Sequence, residues 1–331
     1  MDLATLTQAQ SEEVLRGKKL VFLVGAARSG TTWLQVLLSR SPSVVTVLET
    51  HLFNLFMRSM IVQWNYDRNK GIQIGVTNLM SEEEFRALLR GVSGFVFAKI
   101  AQRKPSATVV LEKTPNHVNW WREILDVWPD AHFIHIIRDP RSVVASMRVS
   151  SKTWAQQVFP SRISPNCERW VSDVSNGRQI SSATDNYQEV AFEKLLSSDG
   201  PGVLMRLLAG IGVQSSLDQC RRYVDECRIE NLKAGKLDNA PFPMTNRNEA
   251  SWRIGTTDSW RFELSKREIA LIERRAGPLM SELGYAPTKV SKVMSAFAGM
   301  SWTAWEVARA AKWRLRRFAE RHGLAGLPVH Q

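Results

Sequence analysis

Cysteine is scarce. Cys167, Cys220 and Cys227 are the only three in 331 residues, too few and too widely spaced for a disulfide framework or a metal-ligand pair. They read as partly buried thiols. No apolar run reaches the length of a membrane span. The opening segment, MDLATLTQAQSEEVLRGKK, has no apolar core and carries acids, so it does not resemble a secretory signal. The expectation is a cytosolic protein in a reducing compartment. Internal repeats are missing, and so is any stacking platform or reading motif for nucleic acid, which is therefore not expected as a partner.

What is present is an ordinary globular composition, 44% hydrophobic and 23% charged, enough to bury a full core. The length allows one large α/β domain or two small ones. The net charge of +12 favours an anionic substrate, a nucleotide, nucleic acid or a membrane surface without choosing among them. Part of it is local: from Lys289 to Arg321 there are eight Lys and Arg against two Glu. Within that tail Ala304, Val307, Ala308, Ala311, Leu315 and Phe318 share one helical stripe. Two readings stand beside each other. One is a basic amphipathic helix at 301–321 lying on an anionic membrane. The other is a helix docked on its own domain or on a second copy, as in a homodimer.

The element pattern alternates. KLVFLV (19–24) reads as a buried strand ending in glycine, followed by a helix over 31–39 that Ser41-Pro42 stops. SVVTVLE (43–49), ATVVLEK (107–113) and AHFIHIIRD (131–139) read as three further strands. Helices are expected over 52–66, over 81–91 behind the Ser81/Glu84 capping box, from Pro115 to about Trp128, and from Pro140. Residues 186–196 read as strand then helix. Helices are expected at 203–210, 215–228 and 265–283, and a surface loop at 235–262. The expected fold is a P-loop-type three-layer α/β/α domain with a central parallel sheet, over 18–286. An N-terminal extension (1–17) precedes it, and the basic tail (287–331) follows with a C-terminal amphipathic helix.

The stretch LVGAARSGTTWL (23–34) follows the first strand. It has the glycines of a G-x-x-x-x-G-K-[ST] phosphate loop, Gly25 and Gly30, and its hydroxyl, Thr32. Thr31 stands where the lysine belongs, and Arg28 supplies a cation three residues earlier. Backbone N–H groups and a helix N-terminus can still hold an anion there, with Ser29, Thr31 and Thr32 adding hydroxyls. A nucleoside triphosphatase also needs the lysine and an acid to help hold Mg²⁺. The fourth strand ends instead in Arg138-Asp139-Pro140. A loop so equipped suits a terminal group of lower charge, such as a sulfuryl group on a phosphate, with no metal.

At this point the chain resembles a known family. RSGTTWL is similar to the 5′-phosphosulfate loop of sulfotransferases that use 3′-phosphoadenosine-5′-phosphosulfate (PAPS). IIRDPRSVVAS (136–146) resembles their second signature, and LEKTPNH (111–117) the EKTP segment of the bacterial and Golgi-type branch, which includes heparan and tyrosyl-protein sulfotransferases. WRFELSKREIALIERRAGPLMSELGY (260–285) resembles their closing helix, so the resemblance runs over about residues 19–285.

The resemblance implies roles. Arg28 would contact the transferring sulfate and the bridging oxygen. Ser29, Gly30, Thr31 and Thr32 would hold the 5′-phosphate. Arg138 and Ser146 would hold the 3′-phosphate, and the loop bearing Arg253 and Arg261 would close over it. Lys113 would stabilise charge on the leaving phosphate. Trp33 has an aromatic-stacking reading and, by its helical spacing, a core-packing one. The implied base is Glu49 in LETHLF, since an acceptor hydroxyl needs a carboxylate within reach. His117 is the rival base and His51 a weaker candidate, while His132 and His135 read as core or edge residues of the fourth strand. Glu112 has no assigned role.

The implied reaction is in-line sulfuryl transfer from PAPS, leaving 3′-phosphoadenosine-5′-phosphate (PAP), to a hydroxyl on a glycan, glycolipid or small molecule. The segment 51–101, with Phe53, Phe56, Met57, Arg58, Trp64 and Tyr66, would line the acceptor pocket. The alternatives are an ATP-dependent P-loop kinase of a small molecule, and a non-catalytic PAP-binding or membrane-associated scaffold. The expected location is cytoplasmic, with the inner face of the membrane within reach of the tail.

Overall fold

The computed structural model describes residues 8–71, 74–153, 155–237, 240–241 and 257–289. The chain divides into two compact units, Met1–Ile137 with Asp173–Asn246, and Arg138–Ser172 with Arg247–Gln331.

The first unit is built on one sheet. Its strands are β1 (Lys19–Val24), β2 (Val44–Thr46), β3 (Val109–Lys113), β4 (His132–Ile137) and β5 (Tyr187–Ala191). They run parallel in the order β2-β3-β1-β4-β5. β1 is central and almost wholly buried, which is why it reads as an unbroken apolar run. Alternate side chains of β1 leave by opposite faces. On one face Phe22 meets Phe53, Phe97 and Phe133 at ring-centroid distances of 6.3, 5.7 and 5.6 Å. Helices α4 (Glu82–Gln102) and α5 (Trp121–Val127) close that side. On the other face lies α2 (Thr31–Ser39), whose Leu34, Leu37 and Leu38 are fully buried. This is the three-layer α/β/α arrangement with its parallel sheet, as expected.

Several boundaries moved, each for a local reason. β2 is three residues long because Thr46 ends it with side chains. Its hydroxyl donates to the Leu111 carbonyl at 2.7 Å, and the Gln35 amide donates to Thr46 Oγ1 and to the Val47 carbonyl. The chain after Val47 is thereby released from the sheet. The expected helix at 52–66 is a π-helical turn (Leu52–Phe56) followed by α3 (Arg58–Lys70). The capping box at Ser81 is present, but α4 runs on to Gln102 because Phe97, Ala98, Ile100 and Ala101 prolong its buried face. After Pro115 comes a tight turn (Pro115–Asn119) before α5.

The same unit holds α1 (Gln8–Leu15), packed on α4, and the helix that continues from 173 to 179. It also holds α8 (Phe192–Leu195), α9 (Gly200–Gly210), α10 (Leu217–Glu226) and α11 (Ile229–Lys233). α1 and α11 lay outside the expected set.

In the second unit, α6 (Pro140–Ser151) packs with α12 (Trp260–Glu263) and α13 (Lys266–Glu282). Arg141 ties them. It pairs with Asp139 at 2.6 Å and Glu273 at 2.8 Å and lies 4.1 Å over the Trp260 ring. Helix α7 (Ile163–Gln179) was not anticipated. Pro, Asn, Ser and Gly break up its apolar signal, yet Ile163, Cys167, Trp170 and Val174 are buried at helical spacing. The described residues contain no helix long and apolar enough to cross a membrane. All three cysteines are buried and free.

His135 on β4 is fully buried, as expected for a core residue. Its Nδ1 is 2.8 Å from the Tyr187 hydroxyl, which donates to Glu189 at 3.0 Å. Nδ1–H therefore donates to the phenol, and Nε2 has no partner among the described residues. Burial, reinforced by the charge of Arg178, pushes this imidazole down to about 3. The unfolded chain takes up the proton near 6.5 and the folded one does not, so the contribution is complete above that value and lost as pH falls toward about 3. Melting followed from about pH 7 to pH 5 should lose roughly 1.4 kcal/mol per unit from this group once below its unfolded pKa. His135→Gln should flatten that part of the slope; an unchanged slope would contradict the assignment.

Candidate active site

The loop between β1 and α2 is shaped by two glycines. At Gly25 φ is 151°, and a Cβ there would lie 2.4 Å from the Ile136 carbonyl oxygen. At Gly30 φ is 95°, and a Cβ would lie 2.5 Å from the Phe192 ring. Neither position accepts a side chain without displacing backbone or core. Between them Arg28 is a left-handed non-glycine residue, φ 73°, a conformation that costs energy and collects at functional sites. Helix α2 opens at Thr31 with no side-chain cap on its first turn. The hydroxyl of Ser29 is buried and has no partner among the described residues. An uncapped helix start, a buried hydroxyl without a partner and a loop without side-chain bulk fit an oxyanion held by N–H and O–H donors.

β3 delivers the cation. Leu23 of β1 is in register with Lys113, so the lysine stands beside the start of the loop. Lys113 is fully buried, and its ammonium donates to Thr32 Oγ1 at 3.2 Å and to Glu49 Oε1. The segment released after β2 carries Glu49 to this point. Glu49 is also 3.3 Å from His51 Nε2, and its side chain remains 32% exposed. Burial works to raise its pKa, but the His51 hydrogen bond and the Lys113 charge outweigh it and hold the carboxyl at about 2. The His51 imidazole is raised in turn, first by its hydrogen bond to Glu49 and against its partial burial. His51 has φ 50°, the other left-handed non-glycine residue among those described.

A second network lies on the opposite face of β3. Glu112 is buried and accepts from the Thr50 hydroxyl at 2.8 Å, the Thr50 amide at 3.4 Å and the Thr114 hydroxyl at 2.7 Å. Its other oxygen is 2.8 Å from His117 Nδ1. Burial would raise this carboxyl; the donors around it, His117 foremost, hold it below the usual carboxylate value. His117 Nε2 accepts the Phe53 amide at 3.2 Å, so Nδ1 carries the proton given to Glu112. His117 is thus fully buried with both nitrogens engaged. That corrects its place as rival base: no lone pair is left for an acceptor proton.

The other expected site residues fall as follows. Trp33 is 5% exposed, edge-on to Phe192, and donates its indole N–H to the Cys227 carbonyl at 2.8 Å. Its packing role is plain. Arg138 and Ser146 belong to the second unit, Arg138 directly after β4 and Ser146 buried on α6. Arg261 pairs with Asp258 at 3.1 Å. Arg253 and the tail at 301–321 lie outside the described residues. Of the expected acceptor-pocket residues, Phe53, Met57 and Trp64 are core, which corrects that expectation, while Phe56, Arg58 and Tyr66 are exposed. The Thr50–Glu112–Thr114 network was missed. Its signal was the polar run EKT at the end of an otherwise apolar strand.

Comparison with known proteins bears on this geometry. Residues 21–216 match the model of the sulfotransferase family. Over 132 residues the chain is 32% identical to a Caenorhabditis briggsae protein inferred to be a protein-tyrosine sulfotransferase. That stretch is 39% of this chain and 43% of the relative, so the match spans less than half of the relative's length. The sulfotransferase domain of the Synechococcus PCC 7002 olefin synthase is similar over 81% of this chain and 96% of its own, at 18% identity and a TM-score of 0.53. The sulfotransferase domain from the curacin biosynthetic pathway is similar over 82% and 99%, at 15% identity and 0.51. At such identities the likeness is one of fold.

Proposed function

The chain belongs to the sulfotransferase family, and on that premise we propose that it moves a sulfuryl group from PAPS to an acceptor hydroxyl. The observation that carries the reading is the chain of contacts Thr32–Lys113–Glu49. It joins an anion-binding loop, a buried cation and a half-open carboxylate. When bound, PAPS supplies the sulfuryl group on a phosphate leaving group. Gly30, Thr31, Thr32 and Ser29 would hold the 5′-phosphate, Arg28 the sulfate, and Arg138 and Ser146 the 3′-phosphate. Glu49 accepts the acceptor's hydroxyl proton as the oxygen–sulfur bond forms and the sulfur–bridging oxygen bond breaks. Lys113 and Arg28 support the charge left on phosphate.

A carboxyl held at about 2 is ionised but weakly basic. An anion beside Lys113 would share its charge and draw the ammonium from Glu49, raising the basicity of the carboxylate as the donor arrives. Exposed Phe56 and Tyr66, with Arg58, suit a sugar-bearing acceptor, a glycan or glycolipid.

The test is transfer from labelled PAPS to simple hydroxyl acceptors: p-nitrophenol, a methyl glucoside and an octyl glucoside. We expect label in at least one glycoside, and none without enzyme. PAPS that binds but is never consumed, across a wide acceptor panel, would replace this reading with a PAP-binding scaffold.

A further inference from the structure

The end of β3 and the segment after β2 grip one another residue by residue. Lys113 holds Glu49 from one face of the strand, and its neighbour Glu112 holds Thr50 from the other. Thr114 then receives the His51 amide at 3.2 Å on the hydroxyl whose proton goes to Glu112. The Thr50 hydroxyl accepts the Leu52 amide at 3.3 Å while donating to Glu112, and His117 catches Phe53. Backbone amides at 50, 51, 52 and 53 are thus all bonded to side chains of, or organised by, one buried carboxylate. Within this span sits His51 in its left-handed conformation, which survives only where its surroundings impose it.

We propose that Glu112 is a positioning residue that fixes Glu49 and His51 against Lys113, through Thr50, Thr114 and His117. This rests on the reading of Glu49 as the base. Glu112 touches neither donor nor acceptor; it sets the turn that aims the carboxylate. An ionised acid is needed because every group facing it is a donor: two hydroxyls, one amide and one imidazole N–H. A glutamine would present its own N–H₂ to one of them and leave a buried donor unpaired. It would also press His117 toward the other tautomer, whose Nε2–H would face the Phe53 amide.

The test uses Thr50→Val, Thr50→Ser and Glu112→Gln in the full chain. The readouts are the His51 imidazole titration by NMR, PAP affinity by calorimetry, and turnover with the acceptor found above. Thr50→Val leaves the charges acting on His51 (Glu49 and Glu112) and its Asn54 partner in place. It should nonetheless return the raised His51 titration toward its ordinary value and cut turnover about tenfold, because small misplacements of a reacting group are costly. PAP affinity should stay within about twofold of wild type in each variant, since the donor loop is untouched. Thr50→Ser should restore both properties. In a Glu49→Gln background Thr50→Val should cost nothing further, as expected of a residue acting through Glu49. Wild-type His51 titration and turnover in Thr50→Val would overturn the inference, whether or not Glu112→Gln folds. Full turnover in Glu49→Gln alone would instead overturn the base assignment, and the His51 titration would still decide the positioning.

Discussion

Glu49→Gln should abolish most sulfuryl transfer, by roughly 10²- to 10⁴-fold in kcat, with PAP affinity almost unchanged. The amide keeps the shape and can still accept from Lys113, so the loop and the lysine stay in place. What it loses is the capacity to take a proton. The sign of the pH effect follows from the carboxyl's surroundings. Its folded pKa is depressed to about 2, so the stabilisation from the Lys113 and His51 contacts is present above the ordinary carboxylate range and lost as pH falls toward that value. Donor binding draws on Lys113, so the acid limb of kcat should lie above the titration of Glu49 in the free enzyme. A Glu49→Gln variant with wild-type kcat would remove Glu49 from the chemistry. The structure leaves His51, not His117, as the next group to examine, since the His51 side chain is 41% exposed whereas His117 is fully buried between Glu112 and the Phe53 amide.

Lys113→Met should also be severe, for a different reason. The lysine is fully buried and bonded to Thr32 and Glu49, so its removal strips the cation from both the donor site and the carboxylate. Electrophilic stabilisers of this kind contribute about 10²- to 10³-fold to kcat. The carboxyl of Glu49 should rise toward its ordinary value, which makes it a better base. If Lys113 did no more than restrain Glu49, turnover would rise or hold. A fall in kcat larger than the fall in PAP affinity would show that the lysine acts on the leaving phosphate. Thermal melts of the variant separate loss of rate from loss of fold.

The sheet was legible because β1, β3 and β4 are apolar runs bounded by glycine, lysine and proline, and buried parallel strands leave that mark. The phosphate loop was legible because Gly25 and Gly30 occupy positions where no Cβ fits. Glu49 and Lys113 could be named as a pair, but their contact depends on β2 stopping at Thr46. Thr46 and Gln35 side chains replace the ladder there, which no strand propensity encodes. Phe53, Met57 and Trp64 were misread as pocket residues because an aromatic or apolar side chain serves a pocket wall and a core alike, and here all three join the buried cluster against the sheet. Glu112 had no reading because two of its four donors belong to Thr50, 62 residues away in sequence. Helix α7 was hidden by its Pro, Asn and Gly.

The most direct test of the central claim is calorimetric titration of the full chain with PAP, with ATP and Mg²⁺ as the control. We expect micromolar PAP binding that is indifferent to Mg²⁺ and is lost in Arg138→Ala, in the range usual for a cofactor held by charge-assisted hydrogen bonds. Binding of ATP with Mg²⁺, and none of PAP, would contradict a phosphosulfate site and turn the lysine-less loop over to kinase chemistry.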